Sequence, residues 1–268
     1  MTGSSAAGGQ AGTAVGPVRY EVTDAIARVT LDAPEARNVL SGASLAALND
    51  ALDRAATDAD VRVVVLAATG RAFCAGADLR GTGAAASDFT ARYTGLLARL
   101  LDHPKPTIAR VQGHVAGGGN GLVAGCDLSV AVADARFAFS EVRVGAVPAI
   151  VSVVALQRMP RAQAIELFLT GERVSAARAC EAGLVTRVVP DEARLDEAVA
   201  TWVGQLRLGG PEALRRTKEV LGRVPAMERG EAFAWTEQVS AEAFSSAEAA
   251  EGMTAFVQRR PPAWAPSS

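Results

Sequence analysis

Three consecutive glycines, Gly117 to Gly119, constrain this 268-residue chain more than any other feature of its sequence. They stand between a β-like segment at 107–111 and an apolar, helix-compatible run at 122–124. Glycine loses more backbone entropy on folding than any other residue, so a run of three needs a structural reason. Without Cβ atoms, unpaired N–H groups at a helix start can approach an oxygen closely. The segment therefore predicts either a tight turn before a helix or a site for an oxygen that develops negative charge.

The glycine run does not match the common phosphate-binding fingerprints. No Gly-Lys-Ser/Thr follows it, and the G-x-G-x-x-G series with a suitably placed acidic partner is absent. The formal net charge of −2 gives no electrostatic footprint for nucleic acid or for an anionic membrane surface. We therefore expect a protein that binds neither nucleic acid nor membrane.

The cysteines and the hydropathy of the chain limit the cellular locations that the sequence predicts. The three cysteines, Cys74, Cys126 and Cys180, show no CxxC or CxxH spacing, so neither a disulfide framework nor a metal site is expected. The chain has no apolar stretch of about 18 residues, the minimum for a membrane-spanning helix, and its N-terminus lacks the pattern of a signal peptide. These features predict a reducing, cytoplasmic location.

The order of patterns along the chain predicts an α/β fold. Residues 1–16 are small and polar and are expected to form a disordered leader. Residues 17–190 are predicted to be an α/β core, in which buried strands are followed by small-residue turns and helices, and residues 191–268 to be a helical C-terminal region. Within these regions the patterns predict a hairpin at 18–31, strands at 61–67, 107–111, 127–133 and 136–144, and a last helix at 230–256.

Five segments in order carry a resemblance to a known family. They are GRAFCAGADLR (70–80), VQGHVAGGGNGL (111–122), FSEVRVGAVPA (139–149), LTGERVSAARACEAGLVTRVV (169–189) and EGMTAFVQRR (251–260). The set resembles the enoyl-CoA hydratase/isomerase family, the crotonase superfamily, and the second and third segments are similar to its methylglutaconyl-CoA hydratase-like branch. The resemblance implies a spiral of ββα units with a C-terminal helical trimerisation region. It also implies an acyl-CoA thioester substrate, with coenzyme A as part of the substrate and no bound prosthetic group.

Carried over position by position, the resemblance implies a catalytic set of three residues. The N–H groups of Ala77 and Gly118 would form an oxyanion hole for the thioester oxygen, and Glu141 would transfer a proton to the α-carbon. Two fixed donors stabilise the enolate-like transition state more than the ground state. The implied contacts to coenzyme A are Arg37, Ala77, Asp78, Leu79, Arg80, Gly118, Phe256 and Arg259.

The chain departs from the family at Gly121, where hydratases carry a second glutamate. Glycine cannot move a proton, so the two-carboxylate mechanism does not hold as it stands. Glu141 could do both tasks, with water held by backbone groups or by Asn120. It could instead shuttle a proton between two carbons, as in the double-bond isomerases. Alternatively, the missing side chain could make room for a branched acyl group.

We expect an enoyl-CoA hydratase with a single glutamate acid/base, assembled as a homotrimer or a dimer of trimers. The alternatives are an enoyl-CoA isomerase and a catalytically impaired CoA-thioester binding or scaffold protein.

Overall fold

The structure is a computed structural model that describes residues 16–78 and 84–266, of which 84–86 only in their backbone. Its strands, numbered in chain order, are β1 (Val18–Thr23), β2 (Ile26–Leu31), β3 (Val63–Ala68), β4 (Ala72–Cys74), β5 (Thr107–Val111), β6 (His114–Ala116), β7 (Leu128–Val132), β8 (Arg136–Ala138), β9 (Val174–Ser175) and β10 (Arg187–Val189). They form a six-stranded sheet in the order β1-β2-β3-β5-β7-β10 and a four-stranded sheet in the order β4-β6-β8-β9.

The helices alternate with the strands in the first part of the chain and follow them in the last. They are α1 (Gly42–Thr57), α2 (Ala84–Leu101), α3 (Gly119–Gly125), α4 (Ala149–Ala155), α5 (Arg161–Thr170), α6 (Ala176–Glu181), α7 (Glu192–Leu208), α8 (Pro211–Arg223), α9 (Arg229–Phe244) and α10 (Ala247–Gln258). Short 3-10 helices occupy Pro34–Ala36, Ser140–Val144 and Val224–Ala226.

Successive strand–strand–helix units wind the chain into a spiral. β3, β5 and β7 lie parallel in the large sheet, while the short strands that follow them, β4, β6 and β8, lie parallel in the small sheet. Every residue of β3 and β5 is buried, as expected for strands covered on both faces. This is the spiral of ββα units that the resemblance implies, and the predicted α/β fold is confirmed.

The predicted hairpin and most predicted strands are present. β1 and β2 pair antiparallel from Val18↔Leu31 to Thr23↔Ile26, and the predicted strand at 61–67 is found at Val63–Ala68. The hairpin turn places Asp24 and Ala25 at positive φ, 51° and 62°. Two successive residues in this region give a turn whose twist matches that of the flanking strands.

The predicted strand at 136–144 is wrong beyond Ala138. β8 pairs with β6 only at Val115↔Phe137 and Ala116↔Ala138, because β6 ends where the glycine run begins. With no partner strand left, the chain turns into the 3-10 helix Ser140–Val144 and ends it at Gly145, whose φ is 73°. Glu141 therefore lies on a helical turn rather than in a sheet.

The C-terminal region is helical, as predicted, although its last predicted helix is divided. α9 ends at Phe244 and α10 begins at Ala247, because the Ser246 side chain accepts a hydrogen bond from the Ala249 N–H and caps the new helix. α7 buries Leu195, Val199 and Trp202 and packs on the large sheet, while α8 and α9 have no buried residue. Whether residues 191–268 form a separate unit stays a prediction.

Candidate active site

Two bends bring distant parts of the chain into contact. The first bend, residues 75–78, follows β4; the glycine bend, residues 116–119, follows β6. A Cβ on Gly76 would lie 2.9 Å from the Ala116 carbonyl oxygen and 3.5 Å from the Gly117 Cα. A Cβ on Gly119 would lie 2.8 Å from the Cys74 carbonyl oxygen. Only residues without side chains allow this approach, and this gives the glycine run its structural reason.

The first bend directs the Ala77 N–H away from Leu40. The Leu40 N–H donates to the Gly76 carbonyl at 2.7 Å, and the Asp78 N–H donates to the Leu40 carbonyl at 2.9 Å. In a trans peptide the C=O and N–H point in opposite directions. Since the Gly76 carbonyl is bound to Leu40, the Ala77 N–H in the same peptide points away from Leu40, and it has no hydrogen-bond partner among the described residues.

The glycine bend arranges the Gly118 N–H in the same way. The Gly117 carbonyl accepts hydrogen bonds from the Asn120 N–H and from Asn120 Nδ2, both at 3.0 Å. Asn120 Nδ2 also donates to the Ala138 carbonyl at 2.8 Å. The Gly118 N–H, in the same peptide as the Gly117 carbonyl, therefore points to the other side and is unpaired within the described part of the chain. The fully buried Asn120 is thus an anchor for this peptide.

Both bends open onto a cavity of about 450 Å³. Its remaining walls come from α2, from the turn that carries Glu141 and from the start of α4. The lining residues are Ala75, Gly76, Ala77, Phe89, Thr90, Tyr93, Gly117, Gly118, Ser140, Glu141, Val144, Ala146, Val147, Pro148, Ala149, Ile150 and Val151. Most of this lining is apolar, and the only carboxyl group among these residues belongs to Glu141.

Glu141 is placed beside the glycine bend and is poorly solvated. A Cβ on Gly117 would lie 3.6 Å from Glu141 Oε1, and Glu141 Oε2 is buried without a hydrogen-bond partner among the described residues. Burial raises the pKa of Glu141 above its usual range, against a smaller opposing effect of a hydrogen bond with its own backbone. A raised pKa brings this carboxyl group closer to the range in which one group can both accept and release a proton.

Tyr93 is a site residue that the sequence patterns do not single out. It lines the cavity, is 5% exposed, and its hydroxyl donates to the Gly118 carbonyl at 2.6 Å. An ideal Cβ on Gly121 would lie 2.1 Å from this hydroxyl oxygen. The tyrosine thus occupies the place of a side chain at position 121, where the resemblance implies the second glutamate of the hydratases.

The structure brings the three predicted catalytic residues, Ala77, Gly118 and Glu141, to one cavity. Asp78 adjoins it in the first bend, while Leu79 and Arg80 lie outside the described residues. The Arg37 carbonyl accepts from the Ala75 N–H at 3.1 Å, but the Arg37 side chain is exposed and does not line the cavity.

The two predicted coenzyme A contacts near the C-terminus lie elsewhere. Phe256 is 85% exposed on α10, and Arg259 is exposed at the end of the same helix. Neither residue lines the cavity within the single chain, and their role as contacts to coenzyme A stays a prediction.

Two other polar side chains near the bends, those of Cys74 and His114, do not line the cavity. Cys74 is fully buried, and burial raises its pKa to about 12, which fits a small buried filler rather than a nucleophile. His114 is exposed and does not line the cavity.

No cluster of three or more His, Cys, Asp or Glu residues in the described ranges could hold a metal ion. No helix in those ranges is long and apolar enough to cross a membrane.

The fold and the cavity define a two-sheet ββα spiral with two backbone amides and one carboxyl group at a shared site. The sequence matches the family profile described as "Enoyl-CoA hydratase/isomerase" over residues 21–267. The chain belongs to this family, the crotonase superfamily.

Curated relatives and solved structures agree with that assignment. A putative enoyl-CoA hydratase of Thermus thermophilus is 38% identical, covering 88% of this chain and 96% of the relative. The (E)-benzylidenesuccinyl-CoA hydratase of Thauera aromatica is 34% identical, covering 92% and 98%. A crystal structure of an enoyl-CoA hydratase of Mycobacterium smegmatis superposes with a TM-score of 0.87 at 37% identity, covering 92% of this chain and 98% of that one.

Proposed function

We propose that the protein is an enoyl-CoA hydratase that adds water across the 2,3 double bond of an acyl-CoA thioester. The N–H groups of Ala77 and Gly118 bind the thioester oxygen, and Glu141 is the single acid/base. The observation that carries this proposal is the arrangement of the two bends. Each donor peptide is held by its carbonyl, so both N–H groups lack a partner among the described residues and lie beside one half-buried carboxyl group.

The proposed reaction balances with one carboxylate. Glu141 takes a proton from water as the water oxygen bonds to C3, and the electron pair of the double bond moves to form an enolate whose charge lies on the thioester oxygen. The two N–H groups stabilise that charge more than the ground-state carbonyl. Glu141 then delivers its proton to C2, and the carbonyl re-forms. The net change is the addition of one water molecule.

Recognition of coenzyme A is proposed for the residues around the first bend and at the C-terminus. Arg37, Ala77, Asp78, Leu79, Arg80 and Gly118 would contact the thioester end and the adenosine phosphates, and Phe256 and Arg259 would complete the site. Arginine suits phosphate because its planar fork donates two parallel hydrogen bonds. No prosthetic group is proposed, since the oxyanion hole and one carboxyl group supply the chemistry. We also propose a cytoplasmic location.

A double-bond isomerase of the same family is the second candidate. The observation that favours it is the Tyr93–Gly121 pair, which leaves Glu141 as the only carboxyl group among the lining residues. One base is enough to carry a proton from C2 of a 3-enoyl thioester to C4, and no water needs to be activated.

An absorbance assay separates these functions. The enzyme is incubated with crotonyl-CoA, with 3-methylglutaconyl-CoA and, because of the Thauera aromatica relative, with an aryl-substituted enoyl-CoA, and the conjugated enoyl thioester band is followed. Loss of the band shows hydration, and its appearance from a 3-enoyl-CoA shows isomerisation. Retained CoA-thioester binding without either change would show a binding or scaffold protein. Glu141→Gln is expected to abolish turnover, and a variant with wild-type turnover would contradict the assignment of Glu141.

A further inference from the structure

We propose that Tyr93 is a positioning residue of the oxyanion hole. Its hydroxyl holds the Gly118 residue in the orientation that presents its N–H to the thioester oxygen, and its ring occupies the space of a side chain at position 121. The first half of this inference rests on the proposed function, whereas the second half is a statement about packing.

The backbone of Gly118 needs an external restraint. With glycine on both sides and no Cβ, its φ and ψ are freer than those of any other residue type. The peptide before it is held through the Gly117 carbonyl by Asn120. The peptide after it is held through the Gly118 carbonyl, which accepts from the Tyr93 hydroxyl at 2.6 Å and from the Gly121 N–H at 3.0 Å. Tyr93 is therefore the side chain that holds the peptide after Gly118, and together with the Asn120 bonds it restrains the Gly118 backbone from both sides.

Tyr93 has little freedom to leave this position. It lies on α2 in line with Leu96, Leu97 and Leu100, all buried, and its ring stacks on that of Phe89 with 6.1 Å between the centroids. A Cβ on Gly121 would meet the Tyr93 hydroxyl oxygen at 2.1 Å and Leu97 Cδ1 at 3.1 Å. Any side chain at position 121 would therefore have to displace the hydroxyl that holds Gly118.

The hydroxyl stays a donor at neutral pH. Burial, with smaller effects of Cys74 and Glu141, raises the pKa of Tyr93 well above its usual range. A protonated phenol already bound to a carbonyl cannot serve as a general base. Its contribution is to hold the peptide, and the proton transfers remain with Glu141.

The test compares Tyr93→Phe with a matched control, Tyr20→Phe. Tyr20, the only other tyrosine of the chain, lies on β1 and does not line the cavity. The probe is butyryl-CoA labelled with ¹³C at its carbonyl, which has no double bond to react and reports polarisation by its infrared stretch. Wild-type enzyme is expected to lower the carbonyl frequency, Tyr93→Phe to lower it less, and Tyr20→Phe to match wild type.

Kinetics should show the same distinction. For Tyr93→Phe, kcat on the best substrate is expected to fall about tenfold, the effect of one hydrogen bond, while KM changes by less than about threefold. A Tyr93→Phe enzyme with wild-type kcat and a wild-type carbonyl shift would overturn the positioning role. Wild-type enzyme that neither turns over an enoyl-CoA nor shifts the carbonyl would instead overturn the proposed function, and the positioning role with it.

A double-mutant cycle decides the packing half without reference to activity. Gly121→Ala is expected to lower Tm by roughly 2–4 °C with Tyr93 present, and by about half as much in the Tyr93→Phe background, because removal of the hydroxyl removes the closest contact. Equal losses in the two backgrounds would overturn the claim that Tyr93 occupies the space of a side chain at 121.

Discussion

Glu141 is a half-buried residue whose Oε2 is buried and has no hydrogen-bond partner among the described residues, and this affects the stability of the fold. Because its pKa is raised in the folded protein, the folded state binds this proton more tightly than the unfolded state does. The favourable contribution is complete below the unfolded pKa and is lost as the pH rises through the folded pKa. Above the folded pKa the ionised carboxylate therefore disfavours folding.

We expect Glu141→Gln to raise Tm at pH 8 while it removes catalysis. The amide has no charge to desolvate, so the gain should shrink as the pH is lowered towards 4.5. Thermal unfolding of both proteins across this range is the measurement, and Glu172→Gln, at an exposed glutamate, is the control. A Tm difference that grows towards low pH would contradict the argument.

At the residue scale the sequence predicted part of the site. The motifs around Ala77, Gly118 and Glu141 led to three residues that the structure places on one cavity. Tyr93 could not be found this way, because a tyrosine in register with Leu96, Leu97 and Leu100 has the pattern of a core residue. Its role depends on contacts with Gly118 and Gly121, and no helical spacing reveals those contacts.

Among the elements, the segment before α1 is held by one asparagine. Asn38 is 1% exposed and has a φ of 53°. Its Oδ1 accepts from the Ala33 N–H at 2.8 Å, and its Nδ2 donates to the carbonyls of Thr69 at 2.8 Å and Ala72 at 2.9 Å. These bonds tie the loop before α1 to both ends of the β3–β4 connection and so support the first bend.

Asn38→Ala is expected to lower the free energy of unfolding by about 2–4 kcal/mol, since it removes three hydrogen bonds, leaves buried groups unpaired and places alanine at positive φ. Denaturant unfolding measures this loss. The control is Asn49→Ala on α1, whose side chain bonds mainly to the Leu45 carbonyl of its own helix, and a loss below about 1 kcal/mol is expected. Equal losses at the two positions would contradict the claim that the Asn38 hydrogen bonds stabilise the fold more than the bond of Asn49 within its own helix does.

The sequence predicted helices and strands correctly where the spacing of apolar residues within the segment determines the structure. It failed where the extent of a strand depends on the strand that pairs with it. The apolar run in β3 and the leucine spacing in α1 and α2 are properties of the segments themselves. The alternation in 136–144 is also that of a strand, yet only Arg136–Ala138 forms one, because its neighbour β6 ends at Ala116. A strand forms only where a neighbouring strand pairs with it, and its own sequence does not show how long that neighbour is.

For the whole molecule, the C-terminal helices carry large exposed apolar side chains. Phe233, Phe244, Phe256 and Val257 are 72%, 70%, 85% and 80% exposed. Groups of this kind are typical of surfaces that are covered in an assembly. We propose that a homotrimer or a dimer of trimers covers them.

Sedimentation or light scattering should then give a mass near three or six times 27.5 kDa. Phe256→Glu, which puts a charge in place of an exposed apolar side chain, is expected to shift the mass towards that of a single chain, whereas Gln258→Glu, at an exposed position of the same helix, should leave it unchanged. A single-chain mass for the wild-type protein would contradict the proposed assembly.

The division of the strands into two sheets is a property of the whole chain that local patterns do not contain. The long strands β3, β5 and β7 alternate in sequence with the short strands β4, β6 and β8, and neighbours in sequence lie in different sheets. Hydropathy predicted strands and turns but not this sorting. Only the family resemblance implied the spiral, and the structure confirms it.

The most direct test of the account is a crystal structure of the protein with a bound acyl-CoA thioester. We predict that the thioester oxygen lies within about 3 Å of both the Ala77 and the Gly118 nitrogen, with a Glu141 carboxylate oxygen facing C2 of the acyl chain. A thioester bound with its carbonyl oxygen near neither nitrogen, or outside this cavity, would contradict the account.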